Sequence, residues 1–279
     1  RILIRVFLIR IATQPGAGMS GAGAPDFFWK EAQRLGYVAR SAFKLLQMQT
    51  RCKLIKPGSS VLDLGCAPGA WLQVSCQSLG PSKNGGCVVG IDLKKVTPPQ
   101  HCDARVKTVC ADVMNLPVEQ VRALSPKQKG FSVVLSDMCP SVSGIRDKDA
   151  ALSMELGMRA MDLALGWATS ANSDGPVQMA GQSHGVLQLG GCLVIKLLES
   201  EEMKGGGSIL QHGSVFFFCF SSPFVGQGSL IEVVGFWCSE IMQICKPLFK
   251  KSAWVRPKAT RPSSREIYLV SQGLLNTSK

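Results

Sequence analysis

The sequence predicts an α/β fold in which a doubly wound, mostly parallel sheet carries helices on both faces. Three observations support this prediction. Short apolar runs alternate with helical patterns along most of the chain. Four of the runs have an aspartate within two residues of their carboxyl end, and the first is followed by a glycine-rich turn. The chain has 279 residues, of which 46% are apolar, and this is ample for the core of one such domain.

The first half of the predicted fold begins with a helical pattern. Apolar residues recur near a 3.6-residue period over 26–50, which predicts helix. The apolar run at 61–64 predicts a buried strand, and the residues after the glycine-rich turn predict a helix over 71–79. Two further apolar runs, at 87–93 and 106–110, predict the next two strands.

The second half continues the alternation of strand and helix. The run at 132–136 predicts a strand, and the amphipathic pattern over 150–166 predicts a long helix. The run at 192–197 predicts a strand that contains Lys196, and a strand at 267–272 is expected to close the sheet.

The turn after the first predicted strand has the composition of a ligand-binding loop. Asp63 lies at the end of the strand, and Gly65 and Gly69 allow the backbone to turn tightly against a ligand. Pro68 lacks an amide donor, which argues against a phosphate cradle. The loop therefore favours a nucleoside pocket without a pyrophosphate, as S-adenosylmethionine requires. An ordinary glycine-rich turn is the alternative.

Three further aspartates follow predicted strands. Asp92, which comes 29 positions after Asp63, is placed to accept ribose hydroxyls, and Asp112 is placed to face an adenine. Asp137 begins a proline-stiffened loop. Because ligands of such sheets bind beyond the carboxyl ends of the strands, we expect one shared pocket. Taken alone, each aspartate is equally explained as a loop carboxylate or a helix cap.

Lys196 interrupts an apolar strand, where a lysine is seldom buried without a partner. One interpretation is a general base whose pKa is lowered by burial and by a second cation. The alternative is a lysine at the strand end whose amine reaches water.

The net charge of +12 favours a polyanionic partner. Residues 246–265 contain seven basic residues and no acidic one, together with the rings of Phe249 and Trp254 that can stack on bases. Residues 30–56 are also rich in lysine and arginine. These stretches favour RNA or DNA over a merely solvated basic surface.

The cysteines and the apolar runs exclude two classes of partner. The 11 cysteines include no Cys-x-x-Cys pair, and the three histidines do not cluster with them, so we expect no metal and reduced thiols. The apolar runs are too short to cross a bilayer, so no membrane partner is expected.

Two segments depart from the pattern of the predicted domain. Residues 1–25 form a basic extension, which we interpret as either a transit-peptide remnant or non-native sequence. Residues 26–279 are expected to form a single domain. Within it, residues 205–238 carry one charge and six of the 12 phenylalanines, which predicts an insertion foreign to the fold.

Five motifs together resemble the FtsJ/RrmJ family of ribosomal RNA 2′-O-methyltransferases, and they occur in the family's order. They are Arg-Ser-Ala-Phe-Lys-Leu-Leu at 40–46, Asp-Leu-Gly-Cys-Ala-Pro-Gly-Ala-Trp at 63–71, Leu-Ser-Asp-Met-Cys-Pro at 135–140, Val-Ile-Lys at 194–196 and Ser-Arg-Glu-Ile-Tyr at 264–268. The resemblance covers roughly 30–204 and 239–273 and implies a Rossmann-like, S-adenosylmethionine-dependent methyltransferase fold.

The resemblance also implies an activity and a set of site residues. The expected activity is 2′-O-methylation of a ribose, expected to be a uridine, in large-subunit ribosomal RNA. A transfer RNA or precursor RNA substrate, or a non-catalytic ribosome-assembly factor, is the alternative. The expected catalytic residues are Lys44, Asp137, Lys196 and Glu266. The expected contacts to S-adenosylmethionine are Asp63, Gly65, Pro68, Gly69, Ala70, Trp71, Asp92, Asp112, Val113 and Asp137.

The expected partner is ribosomal RNA or the large ribosomal subunit, bound by a monomer. The residues expected to contact RNA are Arg40, Lys250, Lys251, Arg256, Lys258, Arg261 and Arg265. The basic N-terminal segment favours a mitochondrial location, with plastid, nucleolus and cytoplasm as alternatives.

Overall fold

The computed structural model describes residues 26–166, 185–199 and 241–276. These ranges share a single sheet of seven strands, in the spatial order β3-β2-β1-β4-β5-β7-β6. In chain order the strands are β1 (Ser60–Leu64), β2 (Cys87–Asp92), β3 (Val106–Cys110), β4 (Phe131–Ser136), β5 (Leu187–Leu198), β6 (Phe249–Val255) and β7 (Glu266–Leu274). Strands β1 to β5 pair in parallel, whereas β7 runs antiparallel to both β5 and β6. The predicted fold class is confirmed.

Helices cover both faces of the sheet. Within the described residues they are α1 (Phe27–Leu35), α2 (Ala42–Cys52), α3 (Ala70–Ser78), α4 (Val118–Ala123), α5 (Arg146–Leu165) and a helical stretch at 241–248. Two apolar clusters fill the spaces between helices and sheet. Val61 belongs to the cluster with α2 and α3, and its neighbour Leu62 belongs to the cluster with α5. Strand β1 is therefore buried on both faces, as its continuous apolar run requires.

The strand order determines where a ligand can bind. Strand β1 lies between β2 and β4, so the connection after β1 leads to one side of this strand and the connection after β3 leads to the other. In folds of this kind a crevice opens at this point, at the carboxyl ends of the strands. Because β7 is antiparallel, its first residue, Glu266, lies at this same edge and pairs with Leu198 at the end of β5. One edge of the sheet thus collects residues from distant parts of the chain.

Two predictions of local structure were wrong. The predicted helix over 26–50 is two helices, because Gly36 adopts a left-handed φ of 75° and ends α1. The strand predicted at 267–272 is found as β7, but it is not the edge strand of the sheet, because β6 pairs with its outer side. Lysines and a serine interrupt the apolar residues of β6, as is usual in an edge strand.

The N-terminal extension at 1–25 and the segment at 205–238 lie outside the described residues, so the expectations about them remain predictions. No helix in the described ranges is long and apolar enough to cross a bilayer.

Candidate active site

Four charged side chains from four parts of the chain meet at the carboxyl edge of the sheet. Lys44 lies on α2, Asp137 follows β4, Lys196 lies near the end of β5, and Glu266 begins β7. The Lys44 Nζ donates to Glu266 Oε2 at 2.5 Å. The Lys196 Nζ lies 3.1 Å from Asp137 Oδ1 and 4.0 Å from Glu266 Oε1. The structure therefore brings all four predicted catalytic residues together.

The sheet fixes the positions of two of these residues. Lys196 is 4% exposed and pairs with Tyr268 of β7. Side chains two residues apart on a strand share a face, so Glu266 and Tyr268 point to the same side of β7. The Lys196 amine also donates to the backbone carbonyl of Asp137 at 2.5 Å. The alternative of a lysine reaching water is wrong, because the amine is buried and bonded.

The predicted direction of the Lys196 pKa was wrong for this structure. Burial alone lowers the pKa of Lys196, but the negative charges of Asp137 and Glu266 outweigh it, so the pKa is raised. The expected second cation, Lys44, is itself paired with Glu266. Lys196 therefore holds its proton more tightly in the isolated chain than a free lysine does.

Tyr268 belongs to the site and was not assigned a role from the sequence. It is fully buried, and its hydroxyl donates to Asp137 Oδ1 at 2.8 Å. Burial, and then the carboxylates of Asp137 and Glu266, raise the pKa of Tyr268 well above its usual range. Its position two residues after Glu266 on a strand was the one feature that could have revealed it.

Further carboxyl groups lie at the same edge, beside the glycine-rich loop. Asp63 is fully buried, and neither of its oxygens accepts a hydrogen bond from the residues the structure describes. Burial, and then the nearby Asp137 and Asp92, raise the pKa of Asp63 well above its usual range. Buried polar groups in proteins nearly always have partners. A group of acids with one unpartnered member fits a positively charged ligand, such as the sulfonium and ammonium of S-adenosylmethionine.

The glycine-rich loop has little room for side chains. Gly65 has a φ of 74°, and a Cβ there would lie 2.8 Å from the Cγ of Met138. Gly69 has a φ of 108°, and a Cβ there would lie 2.5 Å from the Cγ of Pro99. The loop is further held by Asp92, whose Oδ2 accepts the Ala67 amide at 2.9 Å. The predicted need for glycine at both positions is confirmed.

The remaining residues predicted to contact the cofactor differ in their exposure and in their hydrogen-bond partners. Pro68 is exposed on the loop, and Ala70 begins α3. Trp71 is 2% exposed, and its Nε1 donates to the Ser41 carbonyl at 3.0 Å, so its ring belongs to the core. Asp112 lies beyond the end of β3 and accepts the Met114 amide at 2.9 Å, and Val113 is buried beside it.

Several of the predicted RNA contacts are engaged with other residues of the protein, and Arg40 and Arg265 are the least exposed of these. Arg40 is ion-paired with Asp26 and donates to the Ala259 carbonyl at 2.6 Å. Arg265 donates to the carbonyls of Arg146 at 3.0 Å and Glu199 at 3.2 Å. Their guanidinium groups hold elements together, and their assignment as RNA contacts stays a prediction.

The other predicted RNA contacts lie at two edges of the sheet. Arg256, Lys258 and Arg261 occupy the loop between β6 and β7, at the edge of the active site, and all three are exposed. Arg256 pairs with Glu199 at 2.6 Å and Arg261 with Asp26 at 3.4 Å, so both arginines also have partners within the protein. Lys250 and Lys251 lie at the start of β6, and Lys251 pairs with Gln272 near the end of β7. These two lysines therefore lie at the opposite edge, about 13–17 Å along β6 from its last residue, Val255.

Comparison with known proteins assigns the family. The FtsJ-like methyltransferase model matches residues 37–234, which is more than half of the chain. The chain belongs to the FtsJ-like methyltransferase family. The match ends before Glu266 and Tyr268, so the assignment of these two residues to the site rests on the geometry of β7 and not on the family model.

Curated relatives of similar length support the same family. A protein named ribosomal RNA large subunit methyltransferase E from Desulfatibacillum aliphaticivorans is 32% identical over 245 residues, which cover 88% of each chain. A protein of the same name from Sorangium cellulosum is 32% identical over 246 residues, covering 88% of this chain and 86% of that one.

A solved structure supports the fold. The crystal structure of a ribosomal RNA methyltransferase from Plasmodium falciparum aligns with a TM-score of 0.57 at 19% identity. The alignment covers 86% of this chain and 100% of that chain. At this identity the likeness concerns the fold alone.

Within the described residues, no group of three or more His, Cys, Asp or Glu side chains is placed to hold a metal ion.

Proposed function

We propose that this chain transfers a methyl group from S-adenosylmethionine to the 2′-hydroxyl of a ribose, expected to be a uridine, in large-subunit ribosomal RNA. The observation that carries the proposal is the meeting of Lys44, Asp137, Lys196 and Glu266 beside the unpartnered carboxylate of Asp63. The family and the names of the relatives support the substrate class.

A ribose hydroxyl needs help to act as a nucleophile, because its proton is held tightly at neutral pH. A positioned base contributes roughly 10² to 10⁴ in rate, and correct positioning of the reacting groups contributes about 7–11 kcal/mol. Lys196 is the base in this proposal. Asp137 fixes its amine through both a side-chain oxygen and the backbone carbonyl.

Lys196 must be neutral to accept the proton, whereas the isolated chain favours its charged form. When bound, S-adenosylmethionine supplies the methyl group and a positive charge at sulfur. A cation bound at this edge of the sheet would offset the negative charge of Asp137, which holds the Lys196 proton. Lys44, fixed by Glu266 at 2.5 Å, then stabilises the developing alkoxide without competing for the proton.

The residues that would hold the cofactor follow from the fit at the carboxyl edge. The loop glycines Gly65 and Gly69 leave room for close approach of a ligand. Asp63 would accept a cationic group of the cofactor, and Asp92 has the position at the end of β2 from which acids bind ribose hydroxyls in such folds. Asp112 and Val113 would border the base.

The RNA backbone would lie on the basic loop between β6 and β7. Arg256, Lys258 and Arg261 are exposed there, next to the strand that begins with Glu266. Contacts of this kind position the nucleic acid without selecting sequence.

A mitochondrial location is also a proposal, supported by the arginine-rich composition of residues 1–18. Fluorescent tagging of the full chain tests it, and exclusion from mitochondria would contradict it.

A substrate competition tests the proposed function. The full chain is incubated with methyl-labelled S-adenosylmethionine and with ribosomal RNA, large subunits, transfer RNA or bulk protein. Label should enter large-subunit RNA and remain attached to ribose after digestion to nucleosides. Label in transfer RNA alone, or in protein, would replace the proposed substrate. Binding of ribosomal RNA without transfer would favour the assembly-factor alternative.

A further inference from the structure

The Tyr268 hydroxyl shares one oxygen with the proposed base. It donates to Asp137 Oδ1 at 2.8 Å, and the Lys196 Nζ lies 3.1 Å from that same atom. Tyr268 and Lys196 are also paired across β7 and β5. The carboxylate oxygen is therefore held by a neutral donor on one side and a cationic donor on the other.

The tyrosine ring connects this oxygen to the cofactor loop. Its centroid lies 5.9 Å from that of Trp71, in the first turn of α3. The Trp71 indole donates to the carbonyl of Ser41, which precedes α2 and its residue Lys44. Trp71 thus contacts both the ring that bonds to Asp137 and the start of the helix that carries Lys44.

A phenylalanine would fill the same space at position 268 without a hydroxyl to bury. Burying a hydroxyl is unfavourable unless it is hydrogen-bonded, and the whole of Tyr268 is buried. Among the residues that the structure describes, the hydroxyl bonds to Asp137, a member of the proposed catalytic set. The hydroxyl is therefore placed where it affects the charge on Asp137.

We propose that Tyr268 is a positioning residue for methyl transfer, which holds Asp137 Oδ1 at the distance from Lys196 that the transfer requires. This inference rests on the proposed function. Tyr268 neutralises part of the charge on Asp137, so that the carboxylate orients the amine without holding its proton too strongly. The charged and titratable groups that face Lys196 are Asp137 and Cys139 after β4, Glu266 and Tyr268 on β7 and, through Glu266, Lys44 on α2.

The test is the pH profile of kcat for Tyr268→Phe. Without the phenol, Asp137 stabilises the Lys196 ammonium more strongly, so the rise of rate with pH should move to higher pH by up to about one unit. The rate at neutral pH should fall roughly tenfold, while the KM for RNA and the affinity for S-adenosylmethionine stay within about twofold. An unmoved profile would overturn the proposal.

The chain provides a matched control. It has two tyrosines, and the other, Tyr37, is also buried and donates to Gln77 Oε1 at 2.8 Å. Tyr37→Phe removes the same group from the same kind of environment, away from the tetrad, and should leave the profile in place. A shift equal to that of Tyr268→Phe would show a general packing effect and overturn the proposal. If the wild type and Tyr37→Phe transfer no methyl group to any RNA, the proposed function itself fails.

A second variant tests the hydrogen bond while it preserves the packing around position 268. In the Tyr37→Phe background, 3-fluorotyrosine replaces Tyr268 alone, and its more acidic phenol should donate more strongly to Asp137. The profile should then move to lower pH, opposite to the shift of Tyr268→Phe. The fluorine resonance of the labelled protein should also change on Asp137→Asn, which reports the contact without any turnover. A fluorine resonance unchanged by Asp137→Asn would show that the hydroxyl does not contact Asp137, and it would overturn the proposal.

Discussion

Lys44 and Glu266 form an ion pair with 2.5 Å between Nζ and Oε2, although 222 positions separate them in the chain. The contact joins α2 to the first residue of β7, and it lies at the edge where Lys196 meets Asp137. Residues 205–238 come between Lys196 and Glu266 in sequence. Glu266 nevertheless contacts both lysines of the proposed catalytic set, Lys44 and Lys196.

Glu266→Gln should move the pH profile of methyl transfer to lower pH. The Glu266 carboxylate lies 4.0 Å from the Lys196 amine and helps to raise its pKa. Its neutralisation, together with the release of Lys44, allows Lys196 to lose its proton at a pH lower by about one unit. The measurement is kcat against pH for both proteins. The exposed Glu119→Gln on α4 is the control, and a profile unchanged by Glu266→Gln contradicts the account.

Gly69→Ala should weaken S-adenosylmethionine binding by at least about tenfold. The φ of 108° strains any other residue, and a Cβ would clash with Pro99 at 2.5 Å, so the loop must move. Gly85→Ala is the control, since Gly85 also has a positive φ, of 67°, but a Cβ there meets nothing within 4 Å. Titration calorimetry measures both affinities. Equal loss in the two variants would mean that backbone strain alone, and not the loop, is responsible.

Arg265→Ala should lower the unfolding temperature by about 4–8 °C. The guanidinium donates to two carbonyls and lies 3.5 Å from Asp149, which is fully buried. Arg261→Ala is the control, because Arg261 is 55% exposed and its ion pair with Asp26 is long, at 3.4 Å. Thermal denaturation measures both changes. A loss of RNA affinity by Arg265→Ala without a change in unfolding temperature would contradict this structural role and support the assignment of Arg265 as an RNA contact.

The basic loop between β6 and β7 should carry most of the salt dependence of RNA binding. Replacing Arg256, Lys258 and Arg261 together with alanine should reduce the slope of log affinity against log salt by about two to three. Replacing Lys250 and Lys251, which lie at the opposite edge, should reduce it by less than about one. Fluorescence anisotropy over a range of salt concentrations provides the slopes. A larger effect from the lysine pair would place the RNA elsewhere.

Much of the fold is predictable because buried parallel strands have continuous apolar sequences. The strand at 106–110 is found as predicted, and β1 and β4 each begin one residue earlier than expected. Strand β6 is different, since it is an edge strand whose lysines and serine interrupt its apolar residues. Its charges favoured an RNA-binding segment, and its pairing with β7 depends on contacts that periodicity does not reveal.

The candidate site was predictable where residue type and position within an element are sufficient. Lys196 stands out because a lysine in an apolar strand is unusual. The roles of Arg40 and Arg265 were not predictable, because their acceptors include backbone carbonyls of residues far away in sequence, such as Ala259 and Arg146. The raised pKa of Lys196 likewise depends on which carboxylates the folded chain brings to its amine. The expected monomer and the status of residues 1–25 and 205–238 stay predictions.

The most direct measurement of the central claim is the mapping of ribose methylation in large-subunit ribosomal RNA treated with the wild type and with Lys196→Ala. The wild type should protect one ribose linkage from alkaline cleavage. Lys196→Ala should reduce this protection by roughly 10² to 10⁴ in rate while binding S-adenosylmethionine normally, and Lys107→Ala, at an exposed lysine on β3, should behave as wild type. Methylation by Lys196→Ala near the wild-type rate would contradict its assignment as the base.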